Sequence, residues 1–142
     1  MAYSGYLIKI GEYTIPLSMI KADSYYAYYN MQDYDPWTDA KGYLHRDAVK
    51  LKALKVEFET VNQLNHTQFA SLMSSISGQF ITGKDYAREC NITAYIPEID
   101  DYVTQRGYMA DFKPQMYLAS ASEIRYDSCR LAFIGGVTTA AD

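Results

Sequence analysis

The chain has 142 residues, a length that sets the expectation of one domain with its own hydrophobic core. Hydrophobic residues make up 49% and charged residues 21%, which excludes wholesale disorder. The formal net charge is −4, and this argues against a dedicated nucleic-acid-binding protein, because neutralising phosphates requires a basic surface. We predict a single β-rich domain over residues 1–136 and a frayed C-terminal tail over residues 137–142.

Aromatic residues are unusually frequent, with 15 Tyr, 5 Phe and 1 Trp. Tyrosine offers a large contact area and a polar tip, so it suits half-buried surfaces and interfaces. Two cysteines, Cys90 and Cys129, are too few for a disulfide framework, and their apolar neighbours favour buried free thiols. No apolar run approaches the roughly 20 residues of a membrane span, and no basic segment precedes an apolar stretch at the N-terminus. We therefore expect no membrane anchor and synthesis in a cytoplasm.

The first elements predicted are strands. Residues 6–10 and 13–16 flank the Gly11-Glu12 turn and predict a β-hairpin that Pro16 closes, as at an edge or a strand end. Residues 24–30 are rich in tyrosine without helical spacing, which favours another strand. Because rings occur on both of its faces, we expect that strand to be covered on two sides.

A long loop is predicted at about residues 31–46. Residues 31–43 contain the Asp35-Pro36 and Lys41-Gly42 dipeptides and the only tryptophan of the chain. A loop of this length is usually functional or mobile. Residues 54–59 then alternate apolar and charged side chains, which predicts a strand with one buried face.

One α-helix is predicted at about residues 66–77. Asn65 is a favourable N-cap, and Gln68 completes a capping-box-like pair with it. Gly78 ends the segment. The stripe expected to face the core consists of Phe69, Leu72, Met73 and Ile76.

Strand patterns return after the helix, at residues 89–96, 108–112, 115–121, 124–126 and 130–134. The fold class predicted is therefore mainly β (α+β). We expect a β-sandwich or partly closed barrel of about eight strands with one packed α-helix.

No residue pattern indicates a reaction or a cofactor. The two histidines, His45 and His66, have no second ligand at a local metal-binding spacing, so surface or capping roles are expected. The carboxylates at positions 33, 35 and 39, and at 98, 100 and 101, lie in turn-like stretches where aspartate is common. We predict no catalytic residue, no metal and no cofactor, and that the protein is not an enzyme. A two-carboxylate hydrolase is the weakest rival.

Seven aromatic residues fall within the 19 residues from Tyr25 to Tyr43. Such clusters stack on sugar rings, anchor protein–protein interfaces or fill a core. The pattern alone leaves a sugar-binding surface, a subunit interface and core packing open. An edge hairpin beside a long loop also invites strand addition by a neighbouring subunit.

Three short segments carry a resemblance to a known family. They are Ser4-Gly5-Tyr6-Leu7 with Gly11-Glu12-Tyr13-Thr14-Ile15-Pro16, then Ser24-Tyr25, then Asp39-Ala40-Lys41-Gly42-Tyr43-Leu44-His45-Arg46. The chain resembles a family of small tail-module proteins of phages and prophages of Gram-positive bacteria. The order of its elements is similar to the tail-tube and distal-tail fold. The chain is shorter than a full distal-tail protein, and we expect it to lack the second domain that many of them carry.

The resemblance implies a structural subunit of a bacteriophage tail, at the distal tail, baseplate hub or tail tube. It implies a homo-oligomer, as a hexameric ring around the tail channel, with neighbouring tail proteins as partners and DNA only in transit. The protein would be made in the host bacterial cytoplasm and end in the virion tail. The alternative, which the aromatic cluster leaves open, is a carbohydrate-binding module with an aromatic platform, for example at the tail tip. The residues expected at the subunit interface are Tyr6, Ile8, Tyr13, Ile15, Tyr34, Trp37, Tyr43, His45 and Arg46.

Overall fold

A computed structural model describes residues 3–30, 37–46 and 53–137. The described residues contain twelve strands, one α-helix and two short 3₁₀ turns at Leu17–Met19 and Asp85–Ala87. The strands before the helix are β1 (Ile8–Ile10), β2 (Tyr13–Thr14), β3 (Tyr26–Asn30), β4 (Trp37–Thr38), β5 (Leu44–His45), β6 (Ala53–Glu59) and β7 (Leu64–Asn65). The helix is α1 (His66–Ser77), and the strands after it are β8 (Glu89–Ile96), β9 (Asp101–Met109), β10 (Met116–Ala119), β11 (Ile124–Tyr126) and β12 (Arg130–Gly135).

Seven strands form the main sheet, in the order β2-β1-β8-β9-β12-β6-β3, and every pair is antiparallel. Two smaller sheets accompany it, one with the order β10-β11-β7 and one formed by β4 and β5. The predicted N-terminal hairpin is present as β1 and β2. The prediction of a mainly β fold with one packed helix is confirmed.

The main sheet curls so that its opposite ends approach each other. The Tyr25 hydroxyl, just before β3, donates to the Tyr95 carbonyl oxygen of β8 at 2.8 Å and lies 3.1 Å from the Leu7 carbonyl oxygen. Burial raises the pKa of Tyr25, which keeps its hydroxyl a donor. Because the two edge strands, β2 and β3, share no ladder in the described residues, the sheet stops short of a closed barrel.

The core lies inside this curl, and strand alternation builds it. In β6, Leu54, Val56 and Phe58 are buried, while the charged residues between them are half-exposed, as predicted. β8 repeats the pattern with Cys90, Ile92, Ala94 and Ile96 inward. Cys90 and Cys129 are both buried free thiols, which confirms the prediction, and burial raises the pKa of Cys90 to about 12.

The helix begins and ends where the sequence predicts. Asn65 accepts the Gln68 backbone N–H at 2.8 Å, and the Gln68 side chain accepts the Asn65 N–H at 3.0 Å, so the capping box is complete. Gly78 is the C-cap residue. The side chains that α1 buries in the core are Phe69, Leu72 and Ile76.

Two glycines allow a close approach between β9 and β12. Gly107 pairs with Gly135 across the ladder, and a Cβ at Gly107 would clash with the Ile134 carbonyl oxygen and lie 2.6 Å from Ile92 Cδ1. At Gly135 the missing side chain leaves room for the Gln105 amide, whose Oε1 accepts the Leu54 N–H at 2.9 Å. Glycine is therefore required here for space rather than for an unusual backbone conformation.

Three local predictions were wrong. β3 is not covered on two sides: it is the last strand of the sheet, and Tyr26 and Tyr28 are exposed. The predicted loop at 31–46 is not irregular throughout, since β4 and β5 form a hairpin within it, and residues 31–36 lie outside the described part. β9 begins at Asp101 rather than near residue 108.

The domain boundaries remain a prediction. Val137 donates its N–H to the Arg106 carbonyl oxygen at 3.0 Å, and residues 138–142 lie outside the described part.

Candidate subunit interface

The aromatic hairpin, residues 37–45, is the part of the predicted interface that the structure presents to solvent. Trp37 pairs with His45, and Thr38 with Leu44. The Trp37 and His45 rings stack with centroids 4.0 Å apart and planes 6° from parallel. Gly42 has φ +90° in the connecting turn, a conformation that side-chain-bearing residues rarely adopt.

Asp39 holds this turn together. Its Oδ1 accepts the backbone N–H groups of Lys41 and Tyr43 at 2.9 and 3.0 Å, and its Oδ2 lies 2.9 Å from Nε2 of His45. The hydrogen bond with His45 is the largest cause that lowers the pKa of Asp39, and the backbone donors lower it further. One carboxylate thus fixes both the turn and the ring that stacks on Trp37.

The apolar side chains of the aromatic hairpin point away from the core. Trp37 is 57% exposed, Tyr43 69% and Leu44 58%. Large apolar side chains grouped on an exposed, hydrogen-bonded turn are typical of anchor residues that a partner buries. His45 and Arg46 are also exposed, which agrees with the surface role predicted for His45.

The N-terminal hairpin contributes less exposed surface than expected. Ile8 and Ile15 are completely buried in the core, so their side chains are not available to a neighbouring subunit. Tyr6 is half-buried and stacks on Tyr102 with centroids 4.5 Å apart, and Tyr13 is half-buried against the core. The remaining expected residue, Tyr34, lies outside the described part of the chain.

A second exposed hairpin was not predicted as an interface. In β10, Met116, Tyr117 and Leu118 are between 52% and 56% exposed, and all four residues of the strand are exposed. β10 is the outer strand of its sheet and has no charged residue. The signal in the sequence was three consecutive apolar residues. Without alternation, such a run does not indicate which face of the strand is buried.

The residues that could bind a metal ion do not cluster in the described part of the chain. Among the residues that the structure describes, no group of three His, Cys, Asp or Glu side chains could hold a metal ion. His66 Nδ1 accepts the Ile124 N–H at 3.1 Å, which joins the start of α1 to β11 and does not cap the helix; His66 is exposed, in agreement with the predicted surface role. Asp100 accepts the Tyr95 hydroxyl at 2.7 Å. No helix within the described ranges is long and apolar enough to cross a membrane.

Across residues 3–30, 37–46 and 53–137, fold and surface together define a β-rich α+β protein with one packed helix and two exposed apolar hairpins. The chain belongs to DUF6711, a family of unknown function, whose model matches residues 1–136. No curated protein matches the sequence.

The structure is also similar to a solved chain from the "Tail of empty GTA particle computed with helical refinement, C6 symmetry". The TM-score is 0.47, the sequence identity is 14%, and 96% of each chain is covered.

Proposed function

We propose that the protein is a structural subunit of a bacteriophage tail, at the distal tail, baseplate hub or tail tube, and that it assembles into a hexameric ring around the tail channel. The observation that carries the proposal is the aromatic hairpin: Trp37, Tyr43 and Leu44 are exposed on a turn that Asp39 fixes. A preordered apolar surface loses little entropy when a neighbour covers it. This surface falls in the segment that carries the resemblance to phage tail proteins.

The charge of the chain is compatible with a channel. The net charge of −4 would make a ring acidic, and an acidic wall repels DNA phosphates, so DNA would pass without binding. The partners are then other copies of this chain and neighbouring tail proteins.

Replacing both Trp37 and Tyr43 by alanine tests the interface. We expect the variant to fold, because both side chains are exposed, but to be incorporated into tails poorly or not at all. Ile99→Ala is the matched control, since Ile99 is 45% exposed in the turn between β8 and β9. Incorporation would be measured by complementing a phage that lacks the gene. If the double variant folds and still gives normal tails, the aromatic hairpin is not part of the interface.

A carbohydrate-binding module is the second candidate, and the stacked Trp37–His45 pair favours it. A tryptophan ring held flat by a neighbouring ring is a platform on which a sugar can stack. Binding to cell-wall glycans that is lost in Trp37→Ala but kept in Ile99→Ala would support this function. No binding across a glycan array would contradict it.

A further inference from the structure

The β10–β11 hairpin presents an apolar edge, defined by Met116, Tyr117 and Leu118. These three side chains are each more than half exposed, although they occur consecutively along one strand. A strand that packs on its own protein buries alternate residues. Here side chains on both faces of β10 keep more than half of their surface exposed, so fuller burial of this edge requires another molecule.

The same chain has an apolar groove beside α1, hereafter the α1 groove. Its apolar lining consists of Met73, Ile76, Phe80, Met109 and Phe112. The volume is about 230 Å³, below the roughly 300–1,000 Å³ of small-molecule sites, so it suits one or two side chains rather than a whole ligand. Arg88 borders it, with its guanidinium 5.4 Å from the centre of the Phe112 ring.

The apolar edge and the α1 groove lie at different positions along the helix. The β10–β11 hairpin is attached at the N-terminal end of α1, where His66 accepts the Ile124 N–H. The α1 groove lies beside the last turns, at Met73 to Ser77. With a rise of 1.5 Å per residue, the two points are roughly 10–16 Å apart along the axis. None of the residues that line the groove belongs to β10 or β11, so the hairpin does not fill its own groove.

The geometry points to a head-to-tail contact in which the apolar edge of one copy inserts into the α1 groove of the next. The occupant is a second copy because one chain carries both halves of the contact and is not arranged to join them itself. β10 has no charge, and the one charged residue that lines the groove, Arg88, lies 3.9 Å from the Asp111 carboxylate, so the contact leaves no charge without a partner. A repeated contact of this kind generates a ring when its rotation closes. This inference rests on the proposed ring and adds a second interface to it.

Two variants separate the halves of the contact. Met116→Ser with Leu118→Ser removes the apolar edge, and Ser74→Arg blocks the groove from an exposed helix position. Leu17→Ser and Ser71→Arg are the controls: Leu17 is exposed elsewhere, and Ser71 is exposed on α1 outside the groove. Circular dichroism and thermal unfolding establish that each variant is folded.

Sedimentation velocity over a wide range of concentration gives the readout. We expect the unaltered protein and both controls to self-associate, and each test variant alone to associate on the order of tenfold more weakly or not at all. An equimolar mixture of the two test variants should form a heterodimer, because one intact edge meets one intact groove.

Three results would overturn the inference: an unaltered protein that stays monomeric at every concentration, test variants that associate like the controls, or a mixture that stays monomeric. If the protein is monomeric in solution and is nevertheless found in phage tails, the head-to-tail contact is contradicted and the tail function is not. If the protein is absent from tails but the mixture forms a heterodimer, the contact stands and the tail function is contradicted.

Discussion

Asp39 shows how a single residue shapes the proposed interface. Its carboxylate accepts two backbone N–H groups and contacts His45, whose ring supports Trp37. The sequence alone identified Asp39 as a turn-forming residue within a loop. It could not reveal the hairpin, because β4 and β5 have two residues each and no recognisable alternation.

The lowered pKa of Asp39 predicts the pH range in which the turn is lost. A carboxyl group with a folded-state pKa below its unfolded value of 3.8 stabilises the turn fully above that value. The stabilisation disappears as the pH falls through the lower folded-state pKa. Amide chemical shifts of Lys41 and Tyr43, followed by NMR during acid titration, should therefore change with a midpoint below 3.8. Asp39→Asn should abolish that transition. A midpoint at or above 3.8 would contradict the role assigned to this carboxylate.

The burial of Ile8 and Ile15 could not be predicted from the sequence alone. The sequence indicates a hairpin at the sheet edge, and this is present, but Ile8 and Ile15 occupy its inward face. Alternation tells which residues share a face and not which face meets the core. The exposed members of the predicted interface are Trp37, Tyr43, His45 and Arg46, and their contact with a neighbour remains a prediction.

Among the elements, α1 was predictable because its signals are local. The capping box, the apolar stripe and the terminal glycine all lie within fifteen residues of one another. β9 was predicted too late in the chain because residues 101–106 are polar or half-buried, although they pair with β8 along the whole ladder. Such pairing depends on a distant partner strand, which propensity cannot include.

Because β9 and β12 approach closely at Gly107, we predict that a single methyl group added there destabilises the fold. Gly107→Ala should lower the free energy of unfolding by about 1–3 kcal/mol, because the new Cβ meets the Ile134 carbonyl oxygen and Ile92. Gly78→Ala is the matched control, since Gly78 has φ −64° and a Cβ there would be no closer than 3.3 Å to its neighbours. Urea unfolding of both variants gives the comparison. Equal stability of the two variants would show that β9 and β12 are not in close contact at this point.

At the scale of the whole molecule, two hairpins in the described part of the chain each expose a group of large apolar side chains. The aromatic hairpin and the apolar edge of β10 belong to separate small sheets, and neither is part of the seven-stranded sheet. The sequence predicted the first surface through its aromatic cluster and missed the second. Deciding whether the cluster is core or surface requires the tertiary fold, because a tyrosine-rich segment fits both environments.

The location of the protein in phage particles tests the central proposal most directly. Particles released by the source culture would be labelled with an antibody against this chain and gold, and viewed by electron microscopy before and after partial disruption. The proposal predicts gold at one end of the tails or along their length. Detection of the protein in cell lysate without labelling of intact or disrupted particles would contradict a structural role in the tail.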